Sequence, residues 1–511
     1  MEKQASASKG LKLSYKRTFI IGFAFFGILL LWQVYDSWCP TFLSELFAKT
    51  FSAEYVALRQ VTIANGNTAQ EVNDAIIQCN KIIENQQYLV GIMMAIDNLA
   101  ALILLPIFGR ISDKTNTKIG KRMPYILVGT FACAVAFPFV PVLFHYHNLA
   151  GVIAMMAIVV LFAMMYRNPA VALMPDITPK PLRSKANGII NIMGYIGGAF
   201  ATVVGIVFVL SQYLGTATVK DETTHLIGYK AHTWAYGNIW AIELPFIIAS
   251  VLMLVSAIVL FITIKENKVR EEVKDEMARG ELEAEVVDAV SEDKPMTKAN
   301  RIMLYLILGA EFFWFMADNG IGTFMGNYTV YFLGAESSSN MINTILGGVG
   351  SVAGFAVGGI IASKIGRKWT LMGGLGLTLL SYALWAILTF TAIVPHSGNF
   401  PFWIYAIWFV KGLGMSLVHV NSFPMVVELC PNSKIGQFTG YYYAASMAAQ
   451  TITPIALGAL LLNPNFSWEF LPIYALACII ASSAIFFFVK NVKSKKTTFA
   501  KGLEALGQDD D

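Results

Sequence analysis

The sequence predicts an all-α membrane protein with twelve transmembrane helices in two six-helix bundles, and three observations lead there. Hydrophobic residues make up 56% of the 511 and charged ones only 14%, where a soluble domain carries roughly 25% charge. The apolar residues arrive in continuous runs of about 20 or more, enough to cross a ~30 Å hydrocarbon core as helix. No water reaches that core to satisfy a backbone, so each run must close its own hydrogen bonds. The runs do not alternate with polar residues, which argues against a membrane barrel. One long charged stretch, KENKVREEVKDEMARGELEAEVVDAVSEDKP, divides the runs into two sets.

In chain order, the first set is predicted at 18–47, 87–109, 123–146, 149–175, 186–211 and 238–264. The second is predicted at 301–333, 339–362, 369–393, 400–428, 434–461 and 467–490. The resulting organisation is a tail 1–17, a bundle 18–264 with an outer loop 48–86, a charged linker 265–300, a bundle 301–490 and a tail 491–511. The first run is too long for a cleaved secretory signal and carries Asp36. Within the outer loop, Val72, Ile76, Cys79 and Ile83 fall on one face of an amphipathic helix over 69–86, read as a lid on its own bundle. The charged stretch reads as a solvated helical linker.

Lys and Arg orient the chain. They crowd the N-terminal tail (Lys3, Lys9, Lys12, Lys16, Arg17), the 110–122, 180–185 and 364–368 loops, and the C-terminal tail. The short loops near 148, 336, 397 and 465 hold none. Both termini are therefore expected on the cytoplasmic side. The two sets also look like copies in the same sense. Aligning Asp176 with Glu428 brings Asn187-Gly188 against Thr439-Gly440, as in a parallel repeat of six helices.

Gly350, Gly354 and Gly358 form overlapping G-x-x-x-G steps that let another helix approach, with a hinge as the second reading. The five cysteines lack metal-ligand spacing, so no metal is expected. Cys39 and Cys79 lie near one face of the membrane, where a disulfide is the alternative to simple packing thiols. No nucleotide loop, metal triad or nucleophile constellation is present, which argues against an enzyme.

An ionised side chain at mid-bilayer costs ~2.5–3.5 kcal/mol or more, and such groups mark pathways. Here they are Asp36, Asp97, Arg167, Glu243, Glu311, Asp318 and Lys411, with His419 beside them. Trp32 and Gln33 share a helical face with Asp36, and Glu311, Trp314 and Asp318 share another. Arg167 and Lys411 each need an anion: Asp36 or Asp97 for the first, Glu311 or Asp318 for the second. Asn98, Asn168, Asn319, Asn327 and Tyr328 could add hydroxyl-binding groups. Ring faces beside amides and carboxylates suit a sugar. For each of these residues, a structural role in packing or in a buried pair is the competing reading.

Two loops carry related motifs. GRISDKTNTKIGKR places Gly109, Asp113, Gly120, Lys121 and Arg122; GGIIASKIGRK places Gly359, Ser363, Gly366, Arg367 and Lys368. Both resemble the cytoplasmic gate loop of major facilitator transporters. Asp176 and Glu428, at corresponding span ends, are expected in the gate networks, and Ser363 in place of an acid predicts a weaker second gate. The extended first loop through GKRMPYILVG, together with NPAVALMPDITPKPLRSKAN, resembles the sucrose/maltose-type and the glycoside–pentoside–hexuronide:cation symporters.

That resemblance implies the facilitator fold, a central cavity lined by spans 1, 4, 7 and 10, and cation-coupled uptake of glycosides. Each of those four spans holds an ionisable residue. The expected solute is small and polar, a mono- or oligosaccharide, moved by alternating access. Asp36, Asp97, Glu311 and Asp318 are the proton-coupling candidates. Protons are favoured over sodium because Arg167 at mid-depth would repel a metal ion unless paired. An organic-acid carrier clamping its solute with Arg167 and Lys411, and a drug/proton exporter, share the fold and remain alternatives; a membrane receptor is a third. No cofactor and no nucleic acid is expected. The partners are the solute and the bilayer, the working unit is a monomer, and the location is a plasma membrane, in a bacterium.

Overall fold

A computed structural model describes residues 11–61, 65–210, 218–220, 227–229, 240–290, 297–429, 435–463 and 466–490. Helix α1 is Tyr15–Phe51, followed by α2 (Ala53–Leu58), α3 (Ala69–Asn85) and α4 (Gln87–Lys114). The third span is two helices in line, α5 (Met123–Ala136) and α6 (Phe139–His145), broken before Pro138. Then come α7 (Leu149–Asp176), α8 (Arg183–Val207) and α9 (Trp240–Thr263), and the linker helices α10 (Glu266–Glu272) and α11 (Lys274–Val290). The second half comprises α12 (Lys298–Asn327) with a π-helical turn Tyr328–Phe332, α13 (Ser337–Ile365), α14 (Arg367–Thr391), α15 (Phe402–Leu429), α16 (Ile435–Leu461) and α17 (Phe470–Phe487). Among the described residues, twelve helices are long and apolar enough to cross a membrane. The only strands there are Thr218–Lys220 and Ile227–Tyr229, paired antiparallel outside the spans.

Each half has its own core. One is built around Phe42, Phe137, Phe144 and Phe246, the other around Trp314, Tyr328, Tyr382 and Trp385. The glycine stripe of α13 is packing: a Cβ on Gly354 would meet Ser416 and lie 2.7 Å from the Leu413 carbonyl on α15. Cys39, Cys79, Cys133 and Cys478 are free thiols, so no disulfide joins Cys39 to Cys79. Cys430 lies outside the described residues.

The termini and the linker share one end of the bundle, called here the terminal end. Two sequence readings change on the way to the other, far end. First, α3 forms as expected, opened by a Thr68–Glu71 capping box, with Val72, Ile76, Cys79 and Ile83 all buried. It is not a lid on its own half. Cys79 and Ile83 pack with Ala48 and Tyr55 of the first half and with Val330 and Tyr331 of the second. Second, the linker is docked rather than free. Val269 and Val273 join the first half's core, and Gly280 lies 2.8 Å (as an added Cβ) from Pro179. Arg17 pairs with Glu272 at 3.4 Å.

Candidate functional site

The two halves meet in the far half of the spans. Asn327 Nδ2 donates to Ser44 Oγ (3.0 Å) and to Gln87 Oε1 (2.9 Å), while its Oδ1 accepts from Thr41 (3.0 Å). Tyr331 donates to Glu45 at 2.9 Å, and Tyr55 donates to the other oxygen of the same carboxylate. Asn80 Nδ2 lies 3.3 Å from His396 Nδ1. Gly91 admits the Pro454 carbonyl where a side chain would collide, and a Cβ on Gly205 would stand 3.0 Å from Met341. These hydrogen bonds between the bundles, with that of Asn98, lie in this half of the molecule or at mid-depth.

Asn98 marks the lower edge of this seal. Proline lacks an N–H, so Pro454 leaves the carbonyl four residues back without its helical donor. That carbonyl belongs to Gln450, and Asn98 Nδ2 donates to it at 3.0 Å from the opposite half. Asn98 therefore repairs a helix across the interface.

Below the seal lie two charged groups, one in each half. In the first, Asp36 on α1 is exposed although its neighbours Val34 and Tyr35 are buried. It faces Asp97 of α4 and Arg167 of α7 within electrostatic reach. Asp97 is buried and accepts from Tyr35 at 2.5 Å. Neither acid forms the expected direct pair: among the described residues, no carboxylate stands within ion-pair distance of Arg167. Trp32 and Gln33 are half-buried beside Asp36, with Gln33 donating to Ser37 at 3.1 Å.

In the second half, Lys411 on α15 contacts Asp318 on α12 directly. His419, two turns on from Lys411, lies within electrostatic reach of both and packs on Phe315, ring centroids 5.3 Å apart. The Asp318 side chain is 36% exposed and that of Lys411 16%.

Several expected site residues lie elsewhere. Glu311 and Trp314 are fully buried, and among the described residues neither oxygen of Glu311 nor Nε1 of Trp314 has a hydrogen-bond partner. Glu311 does not pair with Lys411. Asn327 belongs to the seal, and Tyr328 is buried with its hydroxyl 3.5 Å from Thr389. Asn319 is half-buried with an unpartnered Oδ1. Asn168 donates to the Leu105 carbonyl and abuts Gly109, whose Cβ would sit 2.7 Å from its Nδ2. Glu243 is buried with His145 at 4.0 Å.

At the terminal end the first loop motif is a closed network. Arg122 contacts Asp113, donates from Nε to Asp176 (2.8 Å) and from Nη1 to Ser112 (2.6 Å), and Lys121 reaches Asp176 at 3.0 Å. Burial lowers the Arg122 pKa, but Asp176 and Asp113 outweigh it and hold the guanidinium above its ordinary value. Glu266 completes the network. Fully buried, it accepts from the N–H groups of Lys121 (2.9 Å), Arg122 (3.0 Å) and Met123 (3.0 Å), a carboxylate on the N-terminus of α5. Gly120 has φ +123°, and a Cβ there would collide with Glu266.

The second loop has Gly366 at φ +88°, and Lys368 donates to the Phe487 carbonyl at 3.2 Å and lies over the Phe487 ring. Ser363 Oγ turns back to its own helix at the Ile360 carbonyl. Gly359 is half-buried on α13 and Arg367 opens α14. The Glu428 side chain lies outside the described residues.

Glu45, Glu84 and Glu266 stand out among residues that sequence reasoning passed over. All three lie at span ends or in loops, where acids are ordinarily solvated. The only sequence signal for Glu266 is its position at the junction of an apolar run and the linker.

A family model described as Major Facilitator Superfamily matches residues 82–394 and 307–507. No curated protein matches the chain. Among solved structures, the inward-open xylose transporter XylE from E. coli is similar at 14% identity and TM-score 0.56, covering 95% of this chain and 98% of that one. A peptide transporter POT in complex with sulfate is similar at 14% and 0.54, covering 96% and 97%. A bacterial homologue of the iron transporter ferroportin in its inward-facing state is similar at 12% and 0.55, covering 93% and 99%.

Proposed function

Because this chain belongs to the Major Facilitator Superfamily, and is a transporter rather than an enzyme, we propose that it carries a sugar or glycoside together with protons by alternating access. The observation that carries the reading is the position of the two charged groups. Asp36, Asp97 and Arg167 in one half and Asp318, Lys411 and His419 in the other lie at mid-depth, immediately below the seal. A solute bound between them touches both halves, so its binding is coupled to their rocking. With the termini cytoplasmic, as the basic loops suggest, the sealed far end is the outer one and the site faces inward. The likeness to inward-open XylE supports that orientation.

Charge favours a neutral solute. The Lys411 ammonium is already neutralised by Asp318, which weakens the reading of Lys411 as a clamp for organic acids. Among the described residues Arg167 has no carboxylate at ion-pair distance, and Asp36 lies within electrostatic reach of both Arg167 and Asp97. Protonating one of these acids alters the balance around Arg167 and offers a route to coupling. One charge crossing the full field gains ~2.3 kcal/mol per 100 mV, roughly forty-fold accumulation.

The test is uptake into proteoliposomes with a panel of mono- and disaccharides under an imposed pH gradient. Saturable sugar uptake that alkalinises the outer medium is expected. Uptake that needs sodium and ignores the pH gradient would end the proton version. Uptake of organic acids but not sugars, lost in Arg167→Gln, would favour the anion carrier.

A further inference from the structure

We propose that Glu45, Tyr331 and the helix α3 form a latch that holds the far end shut, with Glu45 the residue that sets how readily that end opens. The inference rests on the alternating-access reading but not on what is carried.

Glu45 is 0% exposed, Tyr55 2% and Tyr331 0%. A carboxylate out of water is tolerable only when hydrogen bonds replace its hydration. Among the described residues Glu45 has two donors, from different sources. Tyr55 belongs to its own half and approaches within ten residues of chain. Tyr331 comes from the π-helical turn that ends α12, in the other half. Parting the far end removes Tyr331 and keeps Tyr55, so closure completes the solvation of a buried charge and opening undoes half of it. The wider coil of a π-helix displaces side chains from α-helical register, and such turns collect at functional positions. Here the turn buries Tyr331 against Ala48, Tyr55, Cys79 and Ile83 of the first half.

Helix α3 spans the same seam from outside. Cys79 and Ile83 cover the Glu45 cluster, Asn80 reaches His396 on the α14–α15 loop, and Glu84 faces Trp468 and Glu469 before α17. Of its contact points in the second half, His396 and Trp468 lie between helices and Tyr331 in the last turn of the seventh span. A short amphipathic helix thus excludes water from the carboxylate and touches the opposite half at Tyr331, His396 and Trp468. The arrangement is self-reinforcing: detaching α3 hydrates Glu45, and hydrated Glu45 no longer needs Tyr331.

The test reads conformation directly. Spin labels on Lys114→Cys and Lys364→Cys, exposed residues at the terminal ends of α4 and α13, report the separation of the halves at that end. The full-length protein in lipid nanodiscs should show mainly the long distance. Tyr331→Phe removes the cross-half donor and should shift the long-to-short ratio toward short by about ten-fold, the loss of one hydrogen bond to a charged group. Tyr55→Phe, which removes the donor within one half, should shift it far less. Equal shifts from the two variants, or no shift from a monodisperse Tyr331→Phe protein, would overturn the latch. Should Tyr331→Phe not fold, Asn80→Ala cuts the same closure at its contact with His396 and should move the ratio in the same direction; an unmoved ratio overturns the latch equally. If Asn98→Ala, at the separate seam with Gln450, populates the short distance while the latch variants do not, the latch falls and alternating access stands. If no variant ever populates it, alternating access itself falls.

Discussion

Lys411 and Asp318 are in direct contact at mid-depth between α15 and α12, and no other described carboxylate reaches that ammonium. Removing one partner leaves a charge in a site that only partly opens to water. Asp318→Asn should destabilise the protein by about 1–3 kcal/mol, below the range for a wholly buried pair because Asp318 is part-exposed. Uptake should fall at least ten-fold. Pairing Asp318→Asn with Lys411→Met should restore the thermal midpoint without restoring uptake. Recovery of uptake in the double variant would show that the pair serves stability alone.

Glu266 caps α5 through three backbone donors and fills the space left by Gly120. Glu266→Ala should lower stability by about 1–3 kcal/mol, the cost of stranding buried donors. Glu266→Gln should lose less, since its amide oxygen still accepts. Thermal unfolding in detergent checks both, and an alanine variant as stable as the parent would refute this role.

Gly91 lies where the Pro454 carbonyl crosses from the other half. Gly91→Leu cannot occupy that space with the far end shut. The variant should fold, rest with the far end open and show slow uptake with retained solute binding. The Lys114→Cys/Lys364→Cys label pair should report the short distance as the major one.

Acid should act on the far end through two groups of opposite sign. His396 is held down to about 4, first by burial and then by Lys81, against an ordinary 6.5. Glu84 is pushed up to about 7, chiefly by burial and further by Glu469, with the Trp468 backbone N–H and Lys81 opposing, against an ordinary 4.5. Opening hydrates both. His396 then binds a proton in the open form that it lacks in the closed one, so acidification from 6.5 toward 4 favours opening. Glu84 carries its proton in the closed form up to about 7, so acidification from 7 toward 4.5 favours closure. The two oppose each other in the native protein. In Glu84→Gln the open population should rise as pH falls below 6.5, and in His396→Gln it should shrink as pH falls below 7. Slopes of the same sign in both variants would contradict the assignment.

The spans were legible because the bilayer imposes length and apolarity on any crossing segment, and their helical limits differ from the hydropathy runs by a few residues at loops and breaks such as Pro138. The need of Lys411 for an acid was legible as well; the choice between Glu311 and Asp318, one helical face apart by two turns, was not. The two share a face of α12 about 10 Å apart along its axis, so depth and not helical phase sets Glu311 in the core and Asp318 against Lys411, and periodicity alone cannot supply that depth. Asn327 and Asn98 read as solute ligands because a polar amide in a span suggests function. Their real partners, Gln87 and the Gln450 carbonyl, come from distant segments. Glu45 and Glu266 were silent because a carboxylate near a span end is ordinarily hydrated, and only the packing of α3 and α10 dries them.

The docking of α10 and α11 onto the first half has a mechanical corollary. Of the stretch between the bundles, the helices up to Val290 are fastened to the first half at Val269, Val273 and Gly280, and the second bundle begins at Lys298. Eight peptide steps reach at most about 28 Å. However far the terminal ends swing apart, that covalent length caps the aperture, and lengthening it with a glycine–serine insert would relax the stop without touching the site.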